Sequence, residues 1–179
     1  MSLRVQRQDG EQAESLHPKF RVHRYVSDVH ADTENGMSRE EICSALSLCD
    51  PDLLVRTIDG MMADGSIPDV TVVRAPATGT VQLQVREPVC EERFIIADAL
   101  ATVAEVSING TIGWSMRLGS DHPATLAAAI ADAFIAQAGA ERADRLIGLV
   151  HETLRESQLS ELREWAEVGK TVIQFEELD

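Results

Sequence analysis

The sequence predicts an α+β domain: an N-terminal helical pair, a mostly antiparallel sheet of four or five strands with a central hairpin, and C-terminal helices packed on that sheet. Three observations carry this prediction. Apolar residues recur at helical spacing in residues 38–65 and 121–168. Between them, residues 80–86 and both strands of a hairpin over residues 104–118 alternate apolar and polar side chains with a period of two. The strands cluster and do not alternate with helices, which favours an antiparallel sheet.

Capping signals begin the helical pair. Ser38 with Glu41 three residues later forms a capping box. Asp50 followed by Pro51 supplies a side-chain cap and a proline at the first helical position of the second helix, which ends at Gly65. The predicted buried faces are Ile42, Ala45, Leu46 and Cys49 in the first helix, and Leu54, Ile58, Met61 and Met62 in the second.

The strand region begins with two short strands. Residues 70–74 and 80–86 have strand character, and a turn is expected at 76–79, which contains Pro76 and Gly79. In the second strand Val81, Leu83 and Val85 are expected to face inward. Pro88 is expected to end this strand, and an irregular connection is expected over residues 90–98.

The central hairpin surrounds Asn109-Gly110, a strong two-residue turn signal. However, a two-residue turn pairs Ile108 with Thr111 and separates the two apolar faces, one holding Val106 and the other Trp114. We therefore predict a three-residue or bulged connection that places Val106 and Trp114 on one face.

The residue pattern of the C-terminal half predicts three helices and a final strand. Asp121 caps the third helix, whose buried stripe is Leu126, Ile130, Ala133 and Phe134 and which ends at Gly139. Residues 141–156 and 159–168 predict two further helices, and residues 171–175 predict a terminal strand.

Composition limits the class of protein. The net charge is −14 and the pI about 4.7, which argues against nucleic acid or an anionic membrane surface as partner. No apolar run is long enough to span a membrane, and the N-terminus does not resemble a signal peptide, so we expect a cytoplasmic protein. Residues 1–36 lack periodicity and predict a flexible or loosely docked extension, with residues 37–179 as a single domain.

The sequence offers no clear catalytic, cofactor-binding or metal-binding residue. Neither the cysteines nor the histidines have metal-ligand spacing. Gly113 within a strand indicates either close backbone approach, for instance by a partner, or relief of crowding beside Trp114. The tryptophans suit a core or a subunit interface. Possible carboxylate pairs are Glu91, Glu92 and Asp98, and cations that could hold an anion are Arg74, Arg86, Arg93 and Arg117. Solvated surface is the alternative for both sets, so a binding or scaffold role is favoured.

Residues 72–87, VVRAPATGTVQLQVRE, resemble the strand–turn–strand of the PhnG family, the G subunit of the bacterial carbon–phosphorus lyase core complex. The resemblance continues through Glu92-Arg93-Phe94, Asp98 and AEVSINGTIGWSMRLGSD, followed by an alanine-rich helix. It covers residues 38–175. The sequence departs from the family at Pro88-Val89-Cys90-Glu91, where a glycine-rich segment is usual, and at residues 174–177, where an aromatic pair and basic end are usual.

The resemblance implies a role in using phosphonates as a phosphorus source. The family acts with the H, I and J subunits, most directly the I subunit, and with an L protein, to displace adenine from ATP by a phosphonate. The product is a ribose 1-phosphonate 5-triphosphate. ATP as substrate and an iron–sulfur cluster with S-adenosylmethionine would belong to the complex, with no cofactor on this chain. The isolated chain is expected to be inactive.

For the partner interface the candidates are Trp114, Gly113, Arg117, Arg93 and Phe94. Two other function classes stay open. A winged-helix-like regulator could be built on residues 38–63, although the exposed acids of those helices disfavour DNA. A small autonomous enzyme would need Arg74, Arg86 or Arg117 to converge in a deep pocket.

Overall fold

The computed structural model describes residues 37–87, 89–90 and 92–169. Helices α1 (Arg39–Leu48) and α2 (Pro51–Ala63) precede strands β1 (Val70–Arg86), β2 (Arg93–Ile108) and β3 (Thr111–Leu118), and helices α3 (His122–Ala138) and α4 (Asp144–Gly169) follow. The strands form one antiparallel sheet of order β1-β2-β3. The predicted α+β class is confirmed. The expected N-terminal extension and the strand predicted at residues 171–175 lie outside the described residues.

Within the described ranges the sheet has three strands, so the prediction of four or five is wrong. Residues 70–74 and 80–86 belong to the single strand β1. Two shifts in register, between Val72 and Arg74 and between Arg74 and Ala77, stand in place of the expected turn. Because β1 is an edge strand, it tolerates Pro76, which has no N–H to donate. Residues 93–98, predicted to be irregular, are the first part of β2.

The register predicted for the central hairpin is also wrong. Ile108 pairs directly with Thr111, and Val106 pairs with Gly113. Asn109 and Gly110 have φ of 50° and 86°, the left-handed values that a two-residue type I′ turn requires. The turn therefore fixes the register, and the two apolar sets lie on opposite faces of the sheet.

The helix caps appear where the sequence places them. Ser38 and Glu41 form the capping box of α1, Asp50 caps α2, and Asp121 caps α3. The helices predicted over 141–156 and 159–168 are one helix, α4, because no glycine or proline interrupts residues 156–159.

The main core lies between α3 and one face of the sheet, which we call the inner face. Ala104, Val106 and Ile108 of β2 lie on it, packed with the buried residues of α1, α2, α3 and α4. Because side chains alternate along a strand, the opposite, outer face carries Ile112, Trp114, Met116 and Leu118 of β3.

Beyond the helical layer, β1 and β2 continue as a projecting pair that we call the hairpin arm, residues 80–86 and 93–100. Nearly all of its side chains are exposed or half-buried. The expected inward orientation of Val81, Leu83 and Val85 is wrong, because pairing of Leu83 with Ala97 places this set on the outer face. Leu83 is 43% exposed there.

Candidate interaction surface

Asp132 is the centre of a buried polar cluster between α1, α3 and β3. Its carboxylate accepts hydrogen bonds from Arg39 Nε at 2.9 Å and Nη2 at 2.7 Å, and from the backbone N–H of Trp114 at 2.9 Å. Arg39 Nη2 also donates to the carbonyl oxygen of Ile112 at 2.6 Å. This pairing with Asp132 raises the pKa of Arg39. The cluster fixes both helices to the edge of β3.

Cys43 lies in the same cluster, with its Sγ 3.3 Å from Asp132 Oδ1. Burial, together with the adjacent carboxylate, raises the pKa of the Cys43 thiol to about 12. Because the thiolate is the reactive form of cysteine, this thiol is chemically inert near neutral pH. Cys43 therefore acts as a small packed side chain.

Arg117 is a second buried charge, and it lies on the inner face of β3. Its guanidinium donates through Nη1 to the carbonyl oxygen of Leu46 and through Nη2 to that of Cys49, the latter at 2.7 Å. Burial lowers the pKa of Arg117. These carbonyls belong to the C-terminal end of α1, where a cation is favoured by the helix dipole. Arg117 thus joins α1 to the sheet.

Gly113 lies where α3 packs directly against β3. A Cβ atom at this position would lie 2.2 Å from the carbonyl oxygen of Ala129 and 2.5 Å from the backbone nitrogen of Ala133. The close backbone approach suggested by the sequence is therefore made by the chain's own helix. The alanines of α3 allow this approach because they present little more than a methyl group.

The outer face forms a partly apolar surface. Trp114 is 40% exposed and Leu118 is 75% exposed, although both are large apolar side chains. In the row across the sheet Trp114 is paired with Glu105, which forms an ion pair of 3.3 Å with Arg74. Large aromatic side chains that remain exposed in the single chain are typical of protein interfaces.

The hairpin arm adds a second exposed apolar region. Phe94, Ile95 and Ile96 are each about half exposed, and Leu100 is 50% exposed. Arg93 pairs with Arg86 near the end of the arm. Phe94, the partner of Val85, lies on the outer face with Leu83 and Trp114, whereas Ile95 and Leu100 lie on the opposite face of the arm. The outer face therefore continues onto one side of the arm through Phe94.

The charged residues proposed from sequence as possible reaction centres do not converge. Arg74 lies on the outer face, Arg117 on the inner face, and Arg86 near the end of the arm. Glu92 and Asp98 are exposed, and Glu91 lies outside the described residues. Among the residues that the structure describes, no group of three metal-ligating side chains is found. An open depression of ≈ 270 Å³ at His151, Glu152 and Arg155 lies on exposed α4.

The order of elements, a helical pair followed by a hairpin sheet and an alanine-rich helix, can now be compared with known families. A family model described as phosphonate metabolism protein PhnG matches residues 37–178. The chain belongs to the PhnG family. The match spans every described element, which confirms the resemblance found in the sequence, and it makes this a protein of phosphonate metabolism.

The predicted interface residues divide between the surface and the interior. The structure places Trp114, Arg93 and Phe94 on the exposed surface, and Gly113 and Arg117 in the interior. Sequence reasoning missed Asp132 and Arg39. A signal was present for Asp132, which is the only charged residue between Leu126 and Gln137 in an otherwise small and apolar helix. No helix in the described part of the chain is both long and apolar enough to cross a membrane.

Proposed function

We propose that this PhnG-family chain is a structural subunit of the carbon–phosphorus lyase core complex. It supports the displacement of adenine from ATP by a phosphonate, which yields a ribose 1-phosphonate 5-triphosphate, and the catalytic groups and cofactors lie on other subunits. The I subunit is its most direct partner, with the H and J subunits in the same assembly. Family membership supports the pathway, and the character of the surface and interior supports the structural role.

The observation that carries the structural role is the apolar outer face continuing into the hairpin arm. Trp114 and Phe94 remain substantially exposed in the single chain. Exposed apolar patches of this kind mark protein–protein contacts. Arg93, beside Phe94, adds a cation able to pair with a carboxylate of the I subunit.

The interior supports the same conclusion. Across the described residues, every buried side-chain nitrogen and oxygen has a hydrogen-bond partner. Asp132, Arg39 and Arg117 bind each other or the backbone of the chain, so their charges stabilise the scaffold. Gly113 and Arg117 lie beneath the candidate surface and support its shape without touching the partner.

Co-expression with the cognate H, I and J subunits tests this proposal. We expect the tagged wild-type chain to purify with them in fixed stoichiometry, and the complex with the L protein to release adenine from ATP and methylphosphonate. Trp114→Lys and Phe94→Lys should weaken co-purification while circular dichroism stays unchanged. Leu48→Lys is the matched control, because Leu48 is an exposed leucine on α1. Wild-type chain that elutes alone, or releases adenine by itself, would contradict the proposal.

A further inference from the structure

Within the described residues, the two edge strands of the sheet differ in whether side chains of the protein bind their outward-pointing backbone groups. At the edge of β3, Asp132 accepts the N–H of Trp114 and Arg39 donates to the carbonyl of Ile112. These side chains occupy backbone groups that an added strand would use. The other edge is β1. Its first half contains Pro76 and two shifts in register, which discourage strand addition, whereas residues 80–86 contain no proline, lysine or acidic residue. A third shift lies between Leu83 and Gln84, but the extra residue is Ile96 on β2, so β1 itself continues without an inserted residue through this segment.

The hydrogen-bonding pattern identifies the backbone groups at this edge. The N–H of Glu87 donates to the carbonyl of Glu92 at 2.9 Å, and pairs alternate between hydrogen-bonded and non-hydrogen-bonded along an antiparallel ladder. By this alternation the backbone groups of Gln82 and Gln84 point away from β2. Leu100, the β2 partner of Thr80, uses its carbonyl oxygen to accept the N–H of Gly119 on the β3 side, at 2.8 Å. Thr80 and Leu100 are therefore a non-hydrogen-bonded pair, and the backbone groups of Thr80, like those of Gln82 and Gln84, point away from β2.

The sequence at this edge is self-complementary. Residues 81–85, Val-Gln-Leu-Gln-Val, read the same in both directions. In an antiparallel pair of two such strands with the two-fold axis at Leu83, each valine faces a valine and Gln82 faces Gln84 of the other copy. The glutamines supply the hydrogen-bonded pairs, and the two Leu83 residues form a non-hydrogen-bonded pair, in which side chains approach most closely.

We propose that residues 80–86 pair with the same segment of a second copy of this chain, which joins the two sheets through their β1 edges. Such an isologous contact closes to a dimer. The net charge of −14 opposes association, but Arg86 is the only charged residue in the segment. Pairing of one strand from each copy buries less area than a standard protein interface, so we expect weak association and a dimer that forms only as the concentration rises. This inference does not rest on the proposed function.

Charge substitution at the paired glutamines tests both the contact and its register. Gln82→Lys/Gln84→Lys places lysines opposite lysines, and Gln82→Glu/Gln84→Glu places acids opposite acids. Sedimentation velocity over a concentration series should show dimer for the wild-type full chain and monomer for each variant. An equimolar mixture of the two variants should restore a dimer with one chain of each. Gln158→Lys, on the exposed part of α4, is the matched control and should leave the dimer intact.

A cross-link provides a second readout. In a Cys90→Ser background, Leu83→Cys should form a disulfide between copies under mild oxidation, because Cα atoms of a non-hydrogen-bonded pair lie about 4.5 Å apart, within disulfide range. Leu118→Cys, exposed on β3, should remain a monomeric thiol. Circular dichroism verifies that each variant is folded.

Monomeric wild type at every concentration would overturn the inference, as would lysine variants that dimerise like wild type. The edge could instead bind a strand from another protein. In that case the wild-type chain would be monomeric, and its complex with that protein would be lost in the lysine variant; this outcome also overturns the inference. Co-purification with the lyase subunits is scored separately. A dimer without co-purification contradicts only the proposed function, and co-purification without self-pairing contradicts only this inference.

Discussion

The carboxylate of Asp132 on α3 accepts the backbone N–H of Trp114 on β3 at 2.9 Å. A helix side chain thus occupies the place where a fourth strand would pair with the sheet. Because the same carboxylate holds Arg39, whose guanidinium reaches the carbonyl of Ile112, one ion pair with a buried carboxylate covers neighbouring donor and acceptor groups of the edge. This arrangement keeps the Trp114 side chain on the outer face while its backbone is fixed from the side.

We expect Asp132→Ala to be more destabilising than Arg39→Met. Removing the carboxylate leaves the N–H of Trp114 without its acceptor, which costs about 1–3 kcal/mol when the group is buried. Arg39 is 44% exposed in its side chain and can be replaced by water more easily. Urea unfolding of both variants measures the difference. Equal losses, or a larger loss for Arg39→Met, would contradict the central role of Asp132.

Arg117→Met should weaken the attachment of α1 to the sheet. The variant removes two hydrogen bonds from the guanidinium to the carbonyls of Leu46 and Cys49. A single hydrogen bond to a charged group contributes about 1.5–3 kcal/mol to stability. Hydrogen exchange should show faster exchange in α1 than in α3. Arg56→Met, at an exposed position of α2, serves as control and should leave both helices protected. Unchanged exchange in α1 would argue against the contact.

Gly113→Ala should destabilise the protein by about 1–3 kcal/mol, since the added methyl group meets the backbone of α3 and cannot be accommodated by a side-chain rotation. Gly148→Ala is the matched control in α4. No atom lies within 4 Å of its added Cβ, so it should stabilise the helix by about 0.5–1 kcal/mol. Thermal unfolding compares the pair. A neutral Gly113→Ala would mean that α3 can move away from β3.

We expect the protein to lose stability at alkaline pH because of the buried Cys43 thiol. Its pKa rises from 9.0 to about 12 on folding, so between these values the unfolded chain releases a proton that the folded chain keeps. The contribution is fully present below pH 9 and is lost as the pH rises toward 12. Unfolding free energies of Cys43→Ala should fall less steeply with pH than those of wild type. Cys90→Ala, at an exposed cysteine, should behave like wild type; equal slopes for all three proteins would contradict the assignment.

The sequence alone determined the N-terminal ends of α1, α2 and α3, the α+β class and the family. Ser38, Asp50 and Asp121 cap helices through contacts within a few residues, and such local interactions are readable without knowing the rest of the fold. The same holds for Asn109-Gly110, whose two-residue turn was a correct local signal. The three-residue connection predicted here is wrong, because the two apolar faces of the hairpin lie on opposite sides of the sheet and do not share one core.

Only the tertiary structure decided which faces are buried. Trp114 and Leu83 alternate as core residues do, yet they lie on the outer face because the helices cover the other side of the sheet. Asp132 and Arg39 are far apart in sequence and meet only when α1 and α3 pack against the same strand edge. Periodicity reports that a face is apolar. What covers that face depends on contacts between distant segments, and these exist only once the chain has folded.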